Sequence, residues 1–153
     1  MRVYYYLLAI IIIALDQMTK RWVVVNMELR ESIPVIEDIF YITSHRNPGA
    51  AWGILQDQMY FFYIVTIIVI GVIVYYMTKY AKENMWIGIG LGLVLGGAIG
   101  NFIDRLIYQE VVDFLNVYIG TYNYPIFNVA DSALVVGVII LAILTIKDEF
   151  IKG

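Results

Sequence analysis

Four long apolar stretches divide the chain, at residues 3–25, 59–77, 86–107 and 126–146. A helix needs about 20 apolar residues to cross ~30 Å of hydrocarbon, so each stretch predicts a transmembrane helix. Residues 59–77 carry no charge. The other three are interrupted: the first at Asp16, Gln17, Thr19, Lys20 and Arg21, the third at Asn101, Asp104 and Arg105, the fourth at Asn128 and Asp131. The first stretch follows Arg2 and has the outline of a signal peptide. No small-x-small cleavage site follows it and the apolar run resumes at Trp22, so it is read as a retained span. The expected fold class is an all-α integral membrane protein, a single membrane domain over residues 1–153 with four transmembrane helices. A small extracytoplasmic β-rich segment is expected between the first and second helices.

That β-rich segment lies in the loop 27–57, where residues 33–43 are dense in β-branched and aromatic side chains and partly alternate. Asn47-Pro48-Gly49 marks a turn. The loop 108–125 holds Tyr108, Tyr118, Tyr122 and Tyr124, as suits an aromatic belt at a membrane interface. Gly88, Gly90, Gly92, Gly96, Gly97 and Gly100 fall inside the third span with no Lys-Ser/Thr after them. They predict close helix–helix packing by small residues, not a phosphate loop.

Composition narrows the function classes. The chain is 61% apolar and 15% charged, with a mean hydropathy of +0.78, against roughly 45–50% and 25% in soluble domains. A net charge of −3 without a Lys/Arg run argues against a nucleic-acid partner. The absence of cysteine and the single histidine, His45, exclude disulfides and a Cys nucleophile, and leave a His-based metal site or Ser/His/Asp triad hard to assemble. If the N-terminus is cytoplasmic, Arg2, Lys79, Lys82, Lys147 and Lys152 lie inside and Arg30 and Arg46 in outer loops. Lys20, Arg21 and Arg105 sit within or at the outer ends of spans. Split strictly by side, the ten cations divide evenly. Counted over loops and tails alone, they place both termini in the cytoplasm.

Ionisable side chains inside spans cost roughly 2.5–3.5 kcal/mol each on insertion scales and face the protein interior when kept. Asp16 and Lys20 stand at i,i+4 and share a helix face, either as a self-neutralising pair or as the wall of a substrate site. Asn101, Asp104 and Arg105 also share a face, and Arg105 is expected to keep Asp104 ionised. Asn128 and Asp131 face one way near the start of the fourth span, with Asp131 about six residues in, and Asp131 has no cation within a helical turn. Asp113 sits just past the third span between apolar neighbours. With the topology above, Asp16, Asp104, Asp113 and Asp131 all fall in the outer half of the bilayer, which independent structural ion pairs would not require. Two close carboxylates share a proton, and such a pair can activate water while protonating a leaving group. That is aspartic-type hydrolysis of an amide. Ser132 and Ser44 are weak nucleophile candidates, and no zinc, Walker or dinucleotide motif occurs. A proton-coupled transporter would need polar residues through the whole bilayer, yet the inner halves of the spans are nearly pure Ile, Val and Leu. A structural subunit would tolerate the ion pairs but gives no reason for Asp113 and Asp131 to stand without cations.

The segments Asp16-Gln-Met-Thr-Lys20, Asn47-Pro-Gly-Ala-Ala-Trp52, Gly96-Gly-Ala-Ile-Gly-Asn-Phe-Ile-Asp-Arg105, Val111-Val-Asp-Phe114 and Phe127-Asn-Val-Ala-Asp-Ser132 together resemble lipoprotein signal peptidase (signal peptidase II). All five stand in family order across the whole chain; Pro48 and Trp52 depart slightly from the pattern. The resemblance implies a monomeric, multi-pass aspartyl endopeptidase of the bacterial plasma membrane, with its active site near the outer face. Its partners would be membrane lipid and prolipoproteins bearing a diacylglyceryl group on a Cys, cut just before that Cys. It implies Asp113 and Asp131 as the catalytic pair, with Asp104 as the rival for the first place. Asp16, Lys20, Asn47, Asn101, Asp104, Arg105 and Asn128 match supporting or substrate-binding positions. No metal or organic cofactor is implied.

Overall fold

The structure, a computed structural model, describes residues 3–49, 58–81 and 84–152. Ala50, Ala51 and Trp52 of the second motif, and the cations Arg2 and Lys82, lie outside the described residues. Four helices form where the apolar stretches predict them: α1 Val3–Asn26, α2 Met59–Tyr80, α3 Met85–Tyr108 and α4 Val129–Lys152. α2, α3 and the Val129–Lys147 part of α4 are each long and apolar enough to cross a membrane. α1 has 24 residues, a length of ~36 Å at 1.5 Å per residue, but its window carries Asp16, Lys20 and Arg21.

Between α1 and α2 run strands β1 Ser32–Ile36 and β2 Phe40–Asn47, as the alternation predicts. The segment after α3 departs from the expected loop. It forms β3 Val111–Ile119 and a short β4 Tyr122–Asn123, completing an antiparallel sheet in the order β1-β2-β3-β4. Asp113 is therefore a strand residue, opposite His45 in the β2–β3 register. Gln109, in the left-handed region at φ 58°, ends α3 and turns the chain into β3. The fourth helix starts three residues later than the apolar run, because Phe127 is bridged to Leu115 of β3. This makes Asp131 the third residue of α4 and not a residue six deep.

α3 is the central helix. α1, α2 and α4 all pack on it, and half of it is buried in a bundle whose other faces are apolar and exposed. Its glycines explain the approach. A methyl at Gly96 would lie 2.9 Å from the Ala9 carbonyl oxygen, one at Gly92 would lie 2.8 Å from that of Tyr5, and one at Gly100 would lie 2.7 Å from Asp16 Oδ2. Gly90 and Gly97 meet α4 in the same way. Tyr5, Ala9, Ile73, Met77, Leu91, Val94 and Leu95 form the core among α1, α2 and α3. A second cluster, Val23, Met27, Val112 and Phe114, seats the sheet on the end of α1.

Overpacking a filled interface costs about 1–3 kcal/mol, whereas Gly to Ala in an open helix position gains about 1 kcal/mol. Gly96→Ala is expected to lower the thermal midpoint in detergent. Gly71→Ala, with nothing within 4 Å of the added methyl, is expected to hold or raise it. Equal midpoints for the two variants would contradict the backbone contact at Gly96.

Candidate active site

At the junction of the sheet and the helix bundle, Asp16, Asp104, Asp113, Asn101, Asn128 and Lys20 are all buried. Lys20 is the hub. Its ammonium lies 2.8 Å from Asp16 Oδ2 and 3.0 Å from Asp104 Oδ2, and donates to Asn101 Oδ1 at 3.0 Å. All three N–H donors of the ammonium thus have partners. The i,i+4 pair is real, but it is one part of a network joining α1 to α3. Asp104 takes its counter-charge from Lys20 on another helix; no ion pair with Arg105 occurs among the described residues. The guanidinium of Arg105 instead lies over the Phe62 ring, 4.5 Å from its centroid, and donates to the Gly49 carbonyl at 3.2 Å.

The two carboxylates on Lys20 each grip one backbone amide. Asp104 Oδ2 accepts from Val112 N–H at 3.0 Å, and Asp16 Oδ1 accepts from Ala130 N–H at 2.9 Å. Val112 precedes Asp113, and Ala130 precedes Asp131. The amide of Ala130 belongs to the first turn of α4, where N–H groups have no partner within the helix and favour an anion. Gln17 completes the arrangement by donating to Asp104 Oδ1 at 2.9 Å and to the Gly100 carbonyl at 3.1 Å. Sequence reasoning quoted Gln17 within a motif without giving it a role. Its position one residue after Asp16 was the available signal.

Asp113 and Asp131 are held differently. Asp113 accepts from the side-chain amides of Asn47 at 3.1 Å and Asn128 at 2.7 Å. Asp131 accepts from the Asn101 amide at 2.7 Å. It also exchanges hydrogen bonds with Asn128: Asn128 N–H donates to Asp131 Oδ2, and Asp131 N–H donates to Asn128 Oδ1. That is the reciprocal capping box of a helix start, with Asp in place of the usual Glu. Neither carboxylate makes an ion pair among the described residues. Both line one cavity of about 800 Å³, walled by β2, β3, the 122–127 segment and the first turns of α4. Burial pushes the Asp113 carboxyl up to about 7, and the negative charge of Asp131 pushes the same way; the amides of Asn47 and Asn128 pull it back.

His45 also lines the cavity, beside Asp113 across the strand pair. Partial burial and the charges of Arg46 and Arg30 lower its pKa below the ordinary imidazole value, against an opposing pull from Glu110. No local pattern in the sequence pointed to that neighbour. Ser132 Oγ donates to the Asn128 carbonyl at 2.9 Å, an ordinary helical back-bond and not an activated nucleophile. All nine residues singled out from the sequence thus meet in one region. Asp113 and Asp131 face the cavity, and Asp16, Lys20 and Asp104 lie behind them.

Comparison with known proteins agrees with this geometry. The sequence matches the family profile described as Signal peptidase (SPase) II over residues 8–147. The fold matches a bacterial membrane enzyme solved by the in meso method at 2.3 Å, with a TM-score of 0.93 and 44% identity, covering 98% of this chain and 92% of that one. A second bacterial membrane enzyme, solved by the same method at 1.9 Å, matches with a TM-score of 0.88 and 45% identity over 95% of this chain and 94% of that one. A match across nearly the whole chain, on a fold that gathers its buried carboxylates beside a cavity, settles the kinship: the chain is an integral membrane protein of the signal peptidase II family, the aspartic-type peptidases of lipoprotein signal peptides.

Proposed function

We propose that this chain removes the signal peptide from diacylglyceryl-modified prolipoproteins, cutting just before the lipidated Cys, with Asp113 and Asp131 as the catalytic pair. The observation that carries this reading is the division among four aspartates. Lys20 forms ion pairs with Asp16 and Asp104, while Asp113 and Asp131 face one cavity with amide partners and no ion pair among the described residues. In this reading all four helices span the bilayer, both termini are cytoplasmic, and the single domain works as a monomer with the sheet at the outer face.

The pair holds one proton between its members. The ionised carboxylate takes a proton from a water whose oxygen attacks the scissile carbonyl carbon. The protonated carboxyl gives its proton to the carbonyl oxygen. The resulting gem-diol collapses: one hydroxyl proton returns to a carboxylate, the C–N bond breaks, and a carboxyl protons the leaving amine. Asn101, Asn128 and Asn47 hold the two carboxyls in place by amide donation, so a change at these positions acts on geometry and proton affinity together. Arg105, anchored to Gly49 and stacked on Phe62, fixes the entry to the site or meets the substrate chain.

Four outcomes test this reading. General acid–base groups contribute about 10²–10⁴-fold, so Asp113→Asn and Asp131→Asn are each expected to lower cleavage of a purified lipidated prolipoprotein about a thousandfold while the protein stays folded. Substantial turnover by either variant rejects the dyad. A carboxyl with a pKa of about 7 is protonated below that value and ionised above it. The single shared proton is therefore lost as pH rises, and the rate is expected to fall through an alkaline limb near pH 7. The limb reports the pair, not one residue. Asn47→Ala removes a donor that favours the ionised form, so it is expected to move that limb to higher pH; a shift to lower pH contradicts the assignment. Removing one partner from a buried ion pair costs about 3–5 kcal/mol. Lys20→Met is therefore expected to lose thermal stability and activity together, and adding Asp104→Asn is expected to recover part of the stability. A stable but inactive Lys20→Met would instead place Lys20 in the chemistry.

A further inference from the structure

His45 is the one imidazole of the chain, and the proposed chemistry gives it no task. It lines the catalytic cavity and stands directly opposite Asp113 in the β2–β3 register. Directly opposed residues of an antiparallel pair share a face of the sheet, with Cβ atoms about 4.5–5.5 Å apart. Residues two apart on one strand share a face as well, so Asn47, which donates to Asp113, lies on the same side. Arg46, between them, belongs to the other face, and its guanidinium is engaged by Glu110 at 3.6 Å. The His45 ring itself makes no hydrogen bond among the described residues. An uncommitted imidazole thus stands on the cavity face one strand spacing from Asp113.

The two walls of the cavity differ. Leu134 and the exposed Val135 of α4 make one wall apolar, and His45 and Asn47 make the sheet wall polar. In a diacylglyceryl-modified prolipoprotein the residue that follows the cut is the lipidated Cys. Its acyl chains require the apolar wall. Successive side chains of an extended chain point to opposite sides, so the residue after the Cys points away from α4 and toward the sheet. Its Cα lies about 6 Å from the scissile carbon in standard backbone geometry, close to the spacing between Asp113 and His45. We infer that His45 forms the subsite for the residue immediately after the lipidated Cys, and that it selects a side chain able to hydrogen-bond, an amide or a hydroxyl, over an apolar one of equal size. The imidazole offers a ring N–H donor and, in its neutral form, a ring-nitrogen acceptor as well, so it can meet either end of an amide. The inference rests on the peptidase reading above and extends it from the scissile bond to the mature side of the substrate.

Lipidated prolipoproteins that differ only at the residue after the Cys test this subsite. Asn and Leu are nearly equal in size and differ in hydrogen bonding. The unaltered chain is expected to cleave the Asn substrate with a kcat/KM about threefold to tenfold above that of the Leu substrate, the range set by one net hydrogen bond. His45→Phe keeps an aromatic ring and removes its N–H, so the Asn-to-Leu ratio is expected to fall to about one. His45→Glu places a carboxylate on the sheet wall. It is expected to raise the Lys-to-Asp ratio at the same substrate position about tenfold over the unaltered chain, as opposite and like charges are brought together. Ratios taken within one variant do not depend on how much of it is folded. A charge one residue further along the substrate points back to the opposite wall, so the Lys-to-Asp ratio there is expected to stay unmoved by His45→Glu.

An Asn-to-Leu ratio that is the same in the unaltered chain and in His45→Phe would overturn the subsite. So would a Lys-to-Asp ratio that His45→Glu leaves unchanged, or changes equally at both substrate positions. If the unaltered chain cuts none of these substrates, the peptidase reading falls and this inference with it. Cutting with ratios indifferent to His45 counts against the subsite alone.

Discussion

A single ammonium group, on Lys20, organises the junction of sheet and helix bundle in this protein. It is buried inside the protein, so its charge is tolerable only if every donor is used and opposite charge is at hand. Asp16 and Asp104 supply that charge from α1 and α3, and Asn101 takes the third hydrogen bond. Two carboxylates against one ammonium leave a negative charge in excess. Backbone amides meet it: Ala130 N–H at the start of α4 and Val112 N–H at the start of β3. Those two amides belong to the residues immediately before Asp131 and Asp113. The charge balance around Lys20 therefore fixes, through one bond on each side, the main chain that carries both members of the proposed pair.

The same arrangement separates four chemically identical side chains into two kinds. The aspartates that touch Lys20 each pair with its ammonium and grip a backbone amide, and serve as fasteners. The aspartates one shell outward receive amide hydrogen bonds, which orient a carboxyl without supplying a full compensating charge. Asn101 links the two shells, because its oxygen accepts from Lys20 and from Asn128 while its nitrogen donates to Asp131. Asn128 likewise donates to Asp113 and caps the helix that holds Asp131. Replacing these amides by acids or cations would alter the proton balance of the pair. Replacing them by apolar residues would release its geometry.

Much of this was legible in the sequence, and the part that was not has a common cause. Helix positions followed from apolar runs, and the glycines of α3 announced close packing, because both are local patterns. The i,i+4 relation of Asp16 and Lys20 was equally local. The partner of Asp104 was not. Arg105 stood next to it in sequence, but helix geometry turns adjacent residues apart, and the cation that reaches Asp104 comes from α1. The strand character of residues 111–119 was missed for a related reason. Its inward residues, Val112 and Phe114, pack on α1 while Asp113 faces the cavity, so the short stretch carries apolar residues on both sides of one acid and reads equally as the frayed end of a span. The pairing with β2 that makes it a strand lies more than sixty residues away in sequence.

The position of the cavity at the seam between sheet and bundle has a physical logic of its own. Peptide hydrolysis consumes water, and the hydrocarbon around α2 and α4 offers none. A carboxyl pair buried at mid-membrane would have its substrate but not its second reactant. A pair on a separate soluble domain would have water but no access to a lipid-bound chain. In this fold Asp113 comes from the polar side of the seam, beside Asn47 and His45 on strands, and Asp131 comes from the first turn of an apolar helix whose next turn offers Leu134 and Val135 to the same cavity. The cavity therefore has a polar wall on the strand side and an apolar wall on the helix side. Neither element could provide both walls, which is why the four-helix bundle needs its small sheet.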